Sequence, residues 1–128
     1  MVWSDNAPYG GFSHAEPWLP VGDDHASLAV TRQDGDPASL LNYTRRLVAL
    51  RQSQPALRLG TLDILAADGD LLVFTRSWRG STLLVLGNFS GSSARAAVPD
   101  EAGWAAAELV LGNYPADSGD TIVLRPWE

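Results

Sequence analysis

The chain has 128 residues, 45% hydrophobic and 19% charged, with no cysteine and a formal net charge of −6. This is a globular composition long enough to bury a core, and it excludes a disulfide framework, a zinc–cysteine site and a thiol nucleophile. All of the 9 basic Lys/Arg positions are arginine, and the acidic balance disfavours nucleic acid and anionic membrane as partners.

Residues 1 to 35 are rich in Gly, Pro, Asp, Asn and His and carry neither a period of 2 nor one of 3.6, so they read as an irregular segment. Its apolar residues Trp3, Tyr9, Phe12, Trp18, Leu19 and Val21 call for packing against something. From Asp36 the pattern changes. Asp36 is a good N-cap and Pro37 suits the first helical position, so a helix is predicted over about 36–54. Leu40, Tyr43, Leu47 and Leu50 line one side, Leu41 and Val48 widen the stripe, and Asn42, Arg45, Arg46 and Gln52 face solvent. Pro55 stops it.

Beyond Gly60 the chain breaks into short runs that read as strands: Thr61 to Ala66, Leu71 to Trp78, Ser81 to Phe89, Ala94 to Val98, Glu108 to Leu111 and Thr121 to Leu124. Asp68-Gly69-Asp70 and Arg79-Gly80 stand where tight hairpin turns are needed. The spacing predicts a mainly β fold: an antiparallel sandwich preceded by one α-helix and the irregular N-terminal segment. No apolar run approaches the roughly 20 residues that span a bilayer, and the start lacks the pattern of a signal peptide. A cytoplasmic protein is expected.

Several pieces in a fixed order carry a resemblance: Met1-Val2-Trp3-Ser4-Asp5, Gly11-Phe12-Ser13, Pro17-Trp18-Leu19-Pro20-Val21, Leu47-Val48-Ala49-Leu50-Arg51, Phe74-Thr75-Arg76, the run Leu83 to Ser90, Leu109 to Tyr114, and Leu124-Arg125-Pro126-Trp127-Glu128. Together they resemble the C-terminal region of the α-glucosidases and oligo-1,6-glucosidases of glycoside hydrolase family 13, in the α-amylase superfamily. Val2 stands where that family usually has Gln, and Trp127 where Tyr is commoner. The resemblance implies that residues 1–59 are the end of a (β/α)8 barrel, the loop after strand eight and the last helix. It further implies that 60–128 are a C-terminal β-domain, cut short in its last strand.

Enzymes of this superfamily are retaining glycosidases that need a nucleophilic carboxylate and a second carboxyl as acid/base. The resemblance places these on earlier barrel strands, upstream of Met1, so no catalytic residue, cofactor or metal is expected in this chain. It also implies that Trp3 and Phe12 stand near the substrate mouth of the intact enzyme. The cluster Asp23-Asp24-His25, with His14 and Glu16 nearby, has no zinc-like spacing and reads as a solvated turn.

Among the tryptophans of the β region, Trp78, Trp104 and Trp127, core packing is the ordinary role. Trp78 at a hairpin edge is the best candidate for a sugar platform. The triplets Asn42-Tyr43-Thr44 and Asn88-Phe89-Ser90 look like glycosylation acceptors but read as chance. The expected function is structural, capping the barrel of an enzyme that hydrolyses α-glucosidic bonds in short oligosaccharides, with the alternative of a stand-alone carbohydrate-binding module. Leu40, Leu47 and Leu50 offer a surface for self-association.

Overall fold

A computed structural model of the chain describes residues 1–96, 101–104, 106–114 and 122–128. The chain divides into two compact units, Met1–Ala49 and Leu50–Glu128.

The first unit has little regular structure, yet its backbone is closely tied. It contains 3-10 turns at Pro8–Gly11 and Asp23–Ala26 and a short helix, α1 (Val30–Asp34). Tyr9, Gly10 and Gly11 turn the chain back with φ of 52°, 69° and 73°. The Gly10 carbonyl then accepts from the N–H groups of Trp3 (2.8 Å) and Ser4 (3.1 Å). Glycine is required at position 10 by space as well as by φ, because a Cβ there would lie 2.9 Å from Val2 Cγ1. The carbonyls of Val2 and Trp3 accept from Val30 and Thr31 at 3.1 and 3.0 Å. Two N–H groups at the start of α1, which no helical partner can reach, are satisfied in this way. These bonds join backbone far apart in sequence and leave no periodic trace in it.

The long helix α2 (Leu40–Ser53) begins later than the Asp36–Pro37 signal predicts. Asp36 closes a turn of its own, its Oδ1 accepting from Ala38 N–H at 2.9 Å. The cap passes to Ser39, whose Oγ accepts from Asn42 N–H at 3.3 Å, while Gln33 Oε1 accepts from Leu41 N–H at 3.0 Å. Asn42 does not face solvent freely. Its amide protons are shared among the carbonyls of Gln33, Asp34 and Asp36 at 2.9, 3.1 and 2.8 Å, which ties the first turn of α2 to the end of α1. No side chain of α2 is buried; Leu40 and Leu47 are exposed, and Leu41, Tyr43 and Leu50 are half-buried.

In the second unit Pro55 ends α2 and also opens another helix, α3 (Pro55–Leu59), at whose start proline's missing N–H costs nothing. The chain therefore carries more helices than the one expected. Gly60 follows, where a Cβ would lie 2.4 Å from the Ala56 carbonyl oxygen and 2.7 Å from that of Ser77. Only glycine lets the end of α3 abut the next strands so closely.

Strands β1 (Thr61–Asp68), β2 (Leu71–Trp78) and β3 (Ser81–Asn88) form an antiparallel sheet in the order β1-β2-β3. Gly69 (φ 56°) turns the first hairpin, and Arg79 and Gly80 (φ 47° and 85°) the second, matching the right-handed twist of the strands they join. β1 bulges at Leu65, since Ile64 pairs with Phe74 and Ala66 with Val73. The bulge resets the alternation, so that Ala66, Leu71, Val73, Leu84 and Leu86 share one face.

A second, two-stranded antiparallel sheet pairs β4 (Ala94–Arg95) with β5 (Val123–Leu124). Val73, Ala96 and Leu124, at 1%, 4% and 6% exposure, form the core between the two sheets, with Ala66, Leu71, Leu84 and Leu86 packed around it. A short helix, α4 (Glu101–Trp104), lies between β4 and β5 in the chain.

The run Glu108 to Leu111 is not a strand. Leu109 and Val110 are exposed, and among the described residues no strand pairs with this run. Of the other expected strands, Ala97, Val98 and Thr121 lie outside the described residues. Among the described residues no helix is long and apolar enough to cross a membrane.

Candidate functional site

In the first unit, Trp3 and Phe12 are half-exposed, at 52% and 49%, and Trp18 is almost fully so at 90%. The Trp3 backbone is held on both sides, its N–H by Gly10 and its carbonyl by Thr31, so its indole projects from a fixed point. Phe12 directly follows the same glycine corner. The fold thus presents both rings from one tied loop, while the Trp18 side chain has little cover.

The Asp23-Asp24-His25 run forms the second 3-10 turn. His25 Nδ1 accepts from Gly22 N–H at 3.1 Å, which leaves the proton of the neutral ring on Nε2. Among the described residues no group of three His, Cys, Asp or Glu side chains is arranged to hold a metal ion. Asp23, Asp24 and His25 are all exposed.

A polar cluster that residue patterns did not reveal forms around Asp5. Its Oδ2 accepts from Arg32 Nε at 2.8 Å, and its Oδ1 from Thr31 Oγ1 at 3.0 Å. The Arg32 bond, helped by the Thr31 hydroxyl, holds the Asp5 carboxyl below the usual aspartate range. Asp5 thereby clamps the N-terminal loop to α1. The clamp stays ionised across the physiological range and is suited to holding a loop rather than to moving protons.

In the second unit, Trp78 sits at the tip of the β2–β3 hairpin, half-buried, with the Arg79 guanidinium 5.2 Å from the ring centroid. The hairpin's own cation therefore occupies a place over the indole. Trp127 is 64% exposed and has φ 59°, an uncommon conformation for a bulky residue. Its N–H donates to the Ser90 carbonyl (3.0 Å), and its carbonyl accepts from Asn113 Nδ2 (2.8 Å). The Tyr114 hydroxyl donates to the Pro126 carbonyl at 2.9 Å. Several bonds from distant loops fix this turn.

Asn88, at 2% exposure, is a highly connected side chain of the unit. Its Nδ2 donates to the carbonyls of Ser92 and Arg125, each at 2.8 Å, and its Oδ1 accepts from the N–H (3.0 Å) and hydroxyl (2.8 Å) of Ser90. Its backbone N–H donates to the Glu128 carbonyl. Asn88 binds the end of β3, the following loop and the turn at 125–128 into one knot. A side chain so enclosed is no glycosylation acceptor, and Asn42 is similarly engaged.

Residues 1–60 match the family of α-amylase catalytic domains. The chain is 42% identical over 99 residues to a probable α-glucosidase of Rhizobium meliloti, a match that covers 77% of this chain and 18% of that protein. It is 36% identical over 130 residues to a probable oligo-1,6-glucosidase 2 of Bacillus subtilis, covering 100% of this chain and 23% of the relative. Among solved structures, the α-glucosyl transfer enzyme XgtA superposes with a TM-score of 0.81 at 31% identity, over 99% of this chain and 23% of that one. The trehalulose synthase MutB of Pseudomonas mesoacidophila superposes with a TM-score of 0.78 at 27% identity, over 98% and 23%. The chain therefore spans less than a quarter of the length of each of these relatives.

Proposed function

From the fact that this chain belongs to the α-amylase family we propose that it is the C-terminal part of an α-glucosidase that hydrolyses α-glucosidic bonds in short oligosaccharides, and that its own role is structural. In this reading residues 1–59 complete the catalytic barrel. Residues 60–128 form a β-sandwich domain that steadies the barrel and performs no chemistry. The observation that carries it is a boundary: the catalytic-domain match ends at residue 60, β1 starts at Thr61, and similarity to the Bacillus subtilis protein continues over the whole chain.

The barrel is then the chain's principal partner. Trp3 and Phe12, presented by the tied loop, would line the approach to the substrate, because loops of such barrels at the strands' C-terminal ends build the site. The acid/base pair of a retaining glycosidase would come from the remainder of the enzyme, which would work without a cofactor in the cytoplasm. The exposed Leu40 and Leu47, with Leu50, give the isolated chain a surface for self-association.

The test is to assay the purified chain for release of p-nitrophenol from its α-glucoside while titrating it with maltose and isomaltose by calorimetry. Neither turnover nor binding is expected. Turnover would overturn the structural role. Saturable binding abolished by Trp78→Ala would instead favour a carbohydrate-binding module with Trp78 as its platform. Arg79 over the Trp78 ring counts against that second reading, since a sugar stacking on that face would first displace it.

A further inference from the structure

Trp3 and Asp5 are gripped by the same residue. The Thr31 N–H donates to the Trp3 carbonyl at 3.0 Å, and the Thr31 hydroxyl donates to Asp5 Oδ1 at 3.0 Å. The second carboxylate oxygen of Asp5 accepts from Arg32 Nε at 2.8 Å. Neighbouring residues of α1 thus take one oxygen each, which fixes the carboxylate in rotation as well as in place. The Asp5 side chain is 25% exposed and that of Arg32 63%, so the loop end of the pair is the sheltered one.

On its other side the same stretch is tied by backbone. The N–H groups of Trp3 and Ser4 both donate to the Gly10 carbonyl, at the corner that Phe12 follows. Residues 3–5 are therefore seated between the glycine corner and the first turn of α1. Among the described residues, Asp5 is the one side chain of this stretch that bonds to the helix. The Trp3 indole, half-exposed, rides two residues away from that grip.

We propose that Asp5 is a positioning residue: with Thr31 and Arg32 it fixes the Trp3 indole as a platform for the sugar units of an oligosaccharide that lie away from the bond being cleaved. The inference rests on the reading of this chain as part of an α-glucosidase, with Trp3 at the approach to its substrate. An indole face suits the apolar face of a sugar ring. A platform already fixed binds better, because no loop has to be ordered when the sugar arrives. Asp5 acts through the ring, since both of its own oxygens are engaged by α1. Loosening the grip displaces the ring, and a misplacement of about 1 Å at a positioning group is enough to cost activity.

The experiment uses the longer glucosidase that contains this chain, with initial rates measured on isomaltose and isomaltotriose. Asp5→Asn is expected to raise KM several-fold for the trisaccharide and less for the disaccharide, with kcat within about twofold for both. Thr31→Val and Arg32→Gln, on α1, are expected to give the same pattern. Trp3→Ala should give it too, and adding Asp5→Asn to Trp3→Ala should raise KM no further. A lower thermal midpoint with both KM values unmoved would mean that Asp5 only stabilises the loop, and would overturn the proposal. Effects of Asp5→Asn and Trp3→Ala that multiply in the double variant would do the same. Should Asp5→Asn fail to fold, judged by circular dichroism, Thr31→Val decides by the same criteria. A wild type inactive on both sugars would sink the glucosidase reading and this inference with it, whereas an active wild type with indifferent Asp5 and Thr31 variants sinks this inference alone.

Discussion

Asn88 donates to the carbonyl of Arg125, 37 residues further along the chain, at 2.8 Å, and the same amide is held by Ser90 and Ser92 of the loop after β3. The partners of Asn88 are mostly backbone groups, so its removal takes one bond from each of the carbonyls of Ser92 and Arg125 and the acceptor from the Ser90 N–H, in a site with almost no water access. Asn88→Ala is expected to lower the unfolding free energy by about 2–3 kcal/mol, within the range for buried polar groups left unsatisfied. Urea titration followed by tryptophan fluorescence measures it. A loss under half a kilocalorie would show that the knot contributes nothing.

Asp5 gives the chain a pH dependence with a definite sign. Its carboxyl is held below the ordinary aspartate value by Arg32 and Thr31, so its contribution is full at pH values above about 4 and fades as the pH falls from there through the lowered native value. The thermal midpoint of Asp5→Asn should lie below that of the wild type by a constant gap between pH 5 and 8. The gap should close in more acidic solution. A gap that widened on acidification would contradict the sign.

At Gly60 the obstacle to a side chain is space, since its φ is an ordinary −70°. The added methyl of Gly60→Ala would press on two backbone carbonyls that no rotamer change can move. The expected cost is about 1–3 kcal/mol, as for other overpacked sites. Gly69→Ala makes the useful comparison, because there nothing lies within 4 Å and the positive φ alone opposes the change. Denaturant midpoints of the two variants separate crowding from conformation.

Self-association through α2 should depend on its exposed leucines. Leu47→Glu is expected to shift the elution of the isolated chain towards a monomer and to remove any concentration dependence of its apparent mass. Helix content should stay constant, because Leu47 is 47% exposed and supports no core. Elution identical for both proteins across a wide concentration range would rule α2 out as an association surface.

The hairpins of β1–β3 were legible in the sequence because each boundary carried a local cause: Gly69 and Arg79-Gly80 for the turns, and short apolar runs between them. The start of α2 was not. Asp36 and Ser39 are both able to cap, and the choice depended on where Gln33 could reach from α1 and Asn42 from α2. The knot at Asn88 was equally hidden, since Asn-Phe-Ser looks the same whether its amide meets solvent or a carbonyl 37 residues away. Glu108 to Leu111 failed for the opposite reason, having a strand's composition but, among the described residues, no strand paired with it. The place of Trp78 at a hairpin edge was legible in the sequence, but the ties that fix Trp3 and the Arg79 cation over Trp78 emerged only from the fold.

The extra residue in β1 has a bearing on how such a chain survives in a crowded solution. β1 is an outer strand with an apolar outward face, the kind of border along which another polypeptide can add itself and seed a fibril. Leu65 interrupts the row of backbone donors and acceptors after Ile64, so an incoming strand would lose register within a few residues. The irregularity that turns Ala66 towards the core thus also makes the border a poor template for growth.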